Sequence, residues 1–366
     1  MQVELEREKV LKPLTMVAGV VERRQTLPIL SYMLLRTDGD GVSLTGTDLE
    51  LEMVCRVPGG VEKAGEVTVP ARKLFDICRA LPEGSKITLS RQGERVVVKS
   101  GRSRFTLSSL PVADFPKVET GSFKEAVVLP ASRLKRILER TAFCMAQQDV
   151  RYYLNGLYLE NEGTRLRAVA TDGHRMAIAD TECEGAAGET LQVIVPRKAV
   201  LEISRLVGET SDPIRLEISA NHIRLTLAEA TFTSKLIDGK FPDYTRVIPL
   251  QQSKQVPLDR QAFREAMGRV AILANEKYRG IRLNLETGKL LLSAHNPEQE
   301  EAVEEVETSY QGEGLEIGFN VTYLLEAAGA IDGNEVVLGL NDPNSSCTLR
   351  APGQADAQYI IMPMRL

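Results

Sequence analysis

Three acidic residues at alternate positions, Asp48, Glu50 and Glu52, are the first group in this sequence that could do chemistry. On a strand, that spacing puts the carboxylates on one face. A second acidic run, NPEQEEAVEEVE (296–307), offers more. Clustered carboxylates could hold two divalent metals for phosphodiester hydrolysis. The matching positions in the middle of the chain, Asp172, His174 and Met176, break the pattern, since they add no base, nucleophile or second metal ligand. No GxxxxGK[ST] loop, GxSxG elbow or HExxH pair occurs, so the expectation is a protein without catalysis.

Thiols and imidazoles lead to the same conclusion. Cys55, Cys78, Cys144, Cys183 and Cys347 are odd in number and lack CxxC spacing, so reduced, mostly buried thiols are expected. His174, His222 and His295 stand far apart, and neither a metal nor a cofactor is expected. The 366 residues are 43% hydrophobic and 26% charged, a soluble globular balance with length for two or three domains. No apolar run approaches the roughly 20 residues of a membrane span. The start, MQVELEREKVLKPL, does not read as a secretory signal, which points to the cytoplasm.

The elements that would position any site come in three copies. VSLTGTDLELEMV (42–54), LRAVATDGHRMAIA (166–179) and LLLSAHNPEQEEAV (290–303) align, with Asp48, Asp172 and Asn296 in register. TVPARKLFDICRAL (68–81), VIVPRKAVLEISRL (193–206) and IGFNVTYLLEAAGAI (317–331) each run from a short strand into a helix, with Pro70 and Pro196 at the junction. FTLSSLPVADFPKV (105–118) matches FTSKLIDGKFPDYTRV (232–247), and the third copy closes on AQYIIMPMRL. An amphipathic helix opens each unit, at 6–21, 132–146 and 259–274, with Leu134, Ile137, Leu138 and Met145 at helical intervals. Period-two strands fill the rest, between turns such as Glu83-Gly84 and Gln92-Gly93.

These patterns predict an α+β chain of three tandem similar domains, 1–120, 121–249 and 250–366. Each would carry antiparallel sheet and two helices on one face. The net charge of −5 counts against a nucleic-acid partner until its distribution is followed. Helical segments 7–21, 70–80, 130–146, 196–207, 258–277 and 320–331 together carry +9, and everything else −14. Lys12, Arg72, Lys73, Arg79, Lys135, Arg136, Arg140, Arg197, Lys198 and Arg205 belong to the one repeating element type. If the helices share a surface, it suits loose, sequence-independent contact with phosphates. Solvation of exposed helix faces is the plainer explanation for any one helix, but five of six agree.

TLPIL (26–30), LTGTDLELEM (44–53), SGRSRFTLSSLP (100–111), QDVRYYLNG (148–156), VATDGHR (169–175), FPDY (241–244), NEKYRG (275–280), NPEQEEA (296–302) and the terminal MPMRL carry a full-length resemblance. The chain resembles the bacterial DNA sliding clamp family, the beta subunit of the replicative DNA polymerase III holoenzyme. That resemblance implies a head-to-tail homodimeric ring in which each chain forms half, with helices lining the hole and sheets outside. The implied role is processivity: the ring encircles double-stranded DNA and tethers the replicative polymerase catalytic subunit, without catalysis.

The resemblance also assigns residues. Arg24, Gln148, Arg151, Tyr152 and Tyr153 match DNA-touching positions, although Tyr152-Tyr153 beside Leu154 also reads as core aromatics. A pocket for a short apolar peptide maps to Leu154, Thr171, Gly173, His174, Arg175, Met176, Pro242, Arg246, Val247, Ser346, Ile360, Met362, Pro363, Met364 and Arg365. Polymerases, the ATP-dependent clamp loader and repair proteins would share it. Met176 stands where Leu is often found, a volume-conserving change. Without the family, TDGHR reads as a hairpin turn with glycine at positive φ, and YIIMPMRL as a last core strand. For the dimer, Arg102, Arg104, Phe105 and Leu107 would meet Ile272, Leu273, Glu298, Glu300, Glu301 and Glu304, a basic-apolar strand against an acidic-apolar one. A DNA-free scaffold of three repeats leaves the helix charge unexplained.

Overall fold

One Asx side chain sets the turn of each of three equivalent hairpins. In the computed structural model, which describes all residues except 22–26, 119–120, 186–191, 250 and 366, these hairpins join Gly41–Thr47 to Leu51–Pro58, Arg165–Thr171 to Arg175–Glu182, and Lys289–His295 to Glu301–Glu307. Asp48 Oδ1 accepts from the backbone N–H of Glu50 (2.9 Å) and Leu51 (2.7 Å), and Asp172 Oδ1 from His174 (2.9 Å) and Arg175 (3.0 Å). Asn296 Oδ1 accepts from Glu300 at 2.9 Å across a longer turn. Such acceptors replace solvent for amides that the ladder leaves unpaired. Each turn also holds one residue at positive φ, Leu49 (81°), Gly173 (89°) and Gln299 (64°).

The carboxylate row is therefore not a row. Asp48 and Glu50 lie in the turn, and only Glu52 is on the strand, which begins at Leu51. No group of three or more His, Cys, Asp or Glu side chains among the described residues is placed to hold a metal ion.

The six helices are α1 (Arg7–Val20), α2 (Ala71–Ala80), α3 (Ala131–Thr141), α4 (Arg197–Val207), α5 (Arg260–Val270) and α6 (Val321–Ala330). Two are shorter than their apolar periodicity suggests, because α3 tightens to a 3-10 turn at Ala142–Cys144 and α5 at Ala271–Leu273. Pro70, Pro130 and Pro196 each end a strand directly before a helix, where a missing N–H does least harm. The third repeat uses side-chain caps instead: Asp259 accepts from Ala262 N, and Asn320 from Thr322 N and Tyr323 N. The first five helices each carry a net charge of +2 or +3, and α6 carries −1.

The chain divides into two compact units, one of Met1–Ser132, Glu184–Glu189 and Leu201–Leu236, the other of Arg133–Cys183, Thr190–Val200 and Ile237–Leu366. In the first, a five-stranded antiparallel sheet ends on Ser103–Ser108, and a nine-stranded sheet mixes strands of two sequence repeats. Its seam is the pairing of Ala230–Lys235 with Leu51–Pro58, where Phe232 faces Met53 and both are fully buried. In the second unit an eight-stranded sheet is joined the same way, Ala357–Ile361 along Arg175–Glu182 with Tyr359 opposite Ala177. A four-stranded sheet ends on Glu301–Glu307. Within the first unit α1 packs on α2 and over the strands at 41–58, and within the second α5 packs on α6 and over the strands at 289–307. Complete burial of large apolar side chains, such as Met33, Met53, Phe232, Phe263 and Phe319, supplies the driving force.

All five cysteines are buried and free, and burial pushes the Cys55 and Cys78 thiols up to about 12. No helix among the described residues is long and apolar enough to cross a membrane.

Candidate functional site

The fifteen positions expected to form a peptide pocket all fall in the second unit. Leu154, Met176 and Ile360 are buried in one apolar cluster with Ala146, Val169, Ile178, Ile194, Phe241 and Tyr244, and Tyr153 and Ile248 pack against it. Around this floor, Gly173, His174, Pro242, Arg246 and Arg365 are exposed, as are Val247 (52%) and Met362 (49%). Thr171, Ser346, Pro363 and Met364 are half-buried. The tail is fixed by its backbone, since Met362 N donates to His174 O and Met364 N to Gly318 O, both at 2.9 Å. The tail is thus a core strand to Ile361 and a segment nearer the surface over 362–365.

Arg175, also expected in the pocket, is largely enclosed by its neighbours, with 11% of its side chain exposed. Its guanidinium lies 4.4 Å from the Tyr323 ring centroid and 5.4 Å from that of Phe143. It donates to Asp172 Oδ2 (3.1 Å), Phe143 O (2.8 Å) and the Glu326 carboxylate. A cation stacked and hydrogen-bonded on all sides holds the hairpin turn in place. Arg246 pairs with Asp243 at 2.8 Å. Gly173 answers two demands, positive φ and an Arg151 guanidinium that a Cβ would approach to 2.9 Å.

The segment 241–247 is anchored by polar groups that sequence reasoning did not single out. Tyr244 OH donates to Glu160, Arg167 Nη1 donates to Tyr244 OH at 3.3 Å, and Arg167 makes two 2.7 Å bonds to Asp180. Phe241 stacks on Tyr158 with centroids 4.9 Å apart. Burial raises both tyrosine hydroxyls. The FPDY motif was the available signal, but its aromatic residues read as structure. A cavity of about 420 Å³ beside the tail, reached by Tyr278, Arg282, His295, Met364 and Arg365, was also not foreseen.

The cationic residues divide into two groups. Arg197 points back into the protein, with Nη1 at 3.5 Å from Ala142 O and 3.4 Å from Met145 O. Arg205 is tied to Glu202 and Glu209, and Arg140 is buried. All three are engaged by groups of their own unit. Lys12, Arg79, Lys135 and Arg136 keep exposed side chains while pairing with Glu209, Asp76, Glu139 and Asp332 respectively. Arg72 is exposed with Nη2 3.5 Å from Ala18 O, Lys73 is exposed, and Lys198 is half-buried. Gln148, at φ 56°, and Arg151 are exposed, and so is Tyr152. Arg151 donates to Asp149 through N, Nε and Nη2, holding that carboxyl down at about 2. Tyr153 is packed on the apolar cluster, and Arg24 lies outside the described residues.

The two edges expected to meet in a dimer have no strand paired on their outer side among the described residues. Ser103–Ser108 displays Arg104 and Phe105, with Arg102 in the preceding turn. Glu301–Glu307 displays Val303 at 60% exposure, with Glu298, Glu300 and Glu301 also exposed. Ile272 is 76% exposed and Leu273 half-buried. Leu107 is buried opposite Val96, and Glu304 is held by Arg269 at 2.7 and 2.8 Å. Unblocked edges of this kind are templates for further pairing.

Three family models match the chain in succession: DNA polymerase III beta subunit, N-terminal domain (residues 1–119), central domain (128–243) and C-terminal domain (245–365). A beta sliding clamp of Pseudomonas putida is 54% identical over 367 residues, and that of Escherichia coli K12 47% over 370, covering all of both chains in each case. A crystal structure of a sliding clamp, DNA polymerase III subunit beta, from Pseudomonas aeruginosa bound to griselimycin superposes with a TM-score of 0.97 at 53% identity over the whole of both chains.

Proposed function

We infer, from the premise that the chain belongs to the DNA polymerase III beta subunit family, that it is a sliding clamp: a ring subunit that surrounds duplex DNA, tethers DNA polymerase there and catalyses nothing itself. The observation that carries this reading is the threefold repeat, matched from end to end by the three family models. Segments 1–120, 121–249 and 250–366 are its three clamp domains.

Two copies joined head to tail make the ring. Within the chain, a strand of one repeat twice closes on the outer strand of the preceding hairpin. The same pairing between copies would bring Ser103–Ser108 of one onto Glu301–Glu307 of the other, with Phe105 opposite Ala302. Arg102 and Arg104 then meet the acidic strand and turn, and Ile272 and Leu273 cover the apolar centre. Lys12, Arg72, Lys73, Arg79, Lys135, Arg136 and Lys198, with Arg24, Gln148, Arg151 and Tyr152, contact the phosphates weakly. Weak contact suits a molecule whose lifetime on DNA comes from encirclement and whose task, in the cytoplasm, is to slide.

Short apolar peptide motifs of the polymerase, the ATP-dependent loader and repair proteins dock on the rim of Gly173, His174, Pro242, Val247 and Met362, above the Leu154–Met176–Ile360 floor. The griselimycin complex of the P. aeruginosa relative supports a ligand site on this fold. Clamp assembled by the loader on a nicked circle should persist in high salt and be lost when the circle is linearised. Equal loss from both forms overturns the reading.

A further inference from the structure

A cavity in the first unit lies against the position at which the second unit buries an arginine, and we propose that this cavity binds an alkylguanidinium. In the second unit Arg140 of α3, with only 6% of its side chain exposed, donates to Asp356 Oδ2 at 2.7 Å and to Asp332 Oδ2 at 2.5 Å. Asp356 is positioned by its backbone, whose carbonyl accepts from Asp180 N at 2.8 Å, next to the pair Ala179–Ala357.

The first unit repeats this frame. Glu229 O accepts from Arg56 N at 2.9 Å, next to the pair Cys55–Ala230. Glu229 therefore stands where Asp356 stands. Met16 of α1 stands where Arg140 stands, as the helix alignment and their equal burial require. Methionine fills the stem of the missing arginine but brings no charge. Beside it lies a cavity of about 520 Å³, lined by Pro13, Met16, Leu206 and Leu227 together with the exposed Asp212 and Glu229.

The charges around the cavity decide the ligand. Lys9, Lys12, Arg56 and Glu8 also line it, but each is already paired, with Glu6, Glu209, Asp38 and Asp40, and Arg7. Asp212 and Glu229 have no hydrogen-bond or ion-pair partner for their carboxylates among the described residues. Two carboxylates from separate segments over an apolar slot match a flat, forked cation on an aliphatic stem better than an ammonium, which is a point charge. The ligand is either a free alkylguanidine or the arginine side chain of a partner protein. Apart from Lys12, the site uses none of the residues assigned to the peptide pocket, the ring edges or the DNA contacts, so it stands or falls separately from the clamp reading.

Calorimetric titration of the full chain with agmatine, butylamine and N-acetyl-argininamide tests this. Saturable binding of agmatine at one site per chain is expected, with butylamine weaker. Binding of the blocked arginine as well assigns a partner's side chain, and binding of agmatine alone a free ligand. Glu229→Gln should weaken agmatine roughly tenfold or more. Met16→Arg should abolish binding by supplying the cation from within, as Arg140 does. No saturable heat, or binding unchanged by Glu229→Gln, overturns the proposal even if Met16→Arg does not fold.

Discussion

Phe105 and Phe232 hold the same place in successive repeats, yet Phe232 is sealed against Met53 in an internal seam while Phe105 is 36% exposed on an unpaired edge. Tyr359, at the third equivalent position, is sealed like Phe232, opposite Ala177. One residue type thus occupies a finished joint and an unfinished one.

Truncating the two phenylalanines should therefore affect different equilibria. Phe232→Ala is expected to cost about 3–5 kcal/mol of unfolding free energy, read from urea denaturation, because it leaves a void in a packed seam. Phe105→Ala should barely move that curve and instead weaken self-association about thirtyfold, or ~2 kcal/mol, in sedimentation velocity.

Removing the turn carboxylates should cost stability and no chemistry. Asp48→Ala removes the acceptor of two backbone amides, worth about 1–2 kcal/mol together, with no nuclease activity to lose under any metal. Asp172→Ala should cost more, because it also frees Arg175 Nε, and it should lower affinity for an apolar peptide motif in a fluorescence-anisotropy titration.

Arg140→Met should reduce stability most at neutral pH. Hydrogen bonding to Arg140 holds the Asp332 carboxyl below its ordinary range. A carboxylate lowered on folding stabilises the native state above its unfolded pKa of about 4, and the gain disappears as pH falls through the lower folded value. Asp332 and Asp356 side chains are 58% and 40% exposed, so screening limits the loss to about 1–2 kcal/mol. The gap between wild type and variant, followed by urea unfolding, should close toward acid pH.

The turns and helices were legible because a few residues fix each of them locally. An Asx acceptor in a hairpin turn and a proline before a helix do the same backbone task wherever they occur, so their recurrence in the sequence became recurrence in the structure. Pairings between distant segments were not legible, and the seam between 230–235 and 51–58 carries no mark in either strand's own pattern. Nor does composition say which way a cation points: Arg197 turns to the carbonyls of Ala142 and Met145, and Arg175 lies between two rings. Side-chain exposure, unlike periodicity, depends on neighbours the chain supplies from elsewhere.

The seams have a consequence for how copies of this chain can combine. Each internal joint consumes one edge from either side, so three repeats leave one open edge of each kind, however many joints lie between. In the language of polymer chemistry the subunit is a bifunctional monomer of valence two, able to grow into open filaments or to cyclise. Which product wins is set by the rotation that relates one copy to the next, so a substitution that altered that rotation without touching either edge could change a closed species into a fibre.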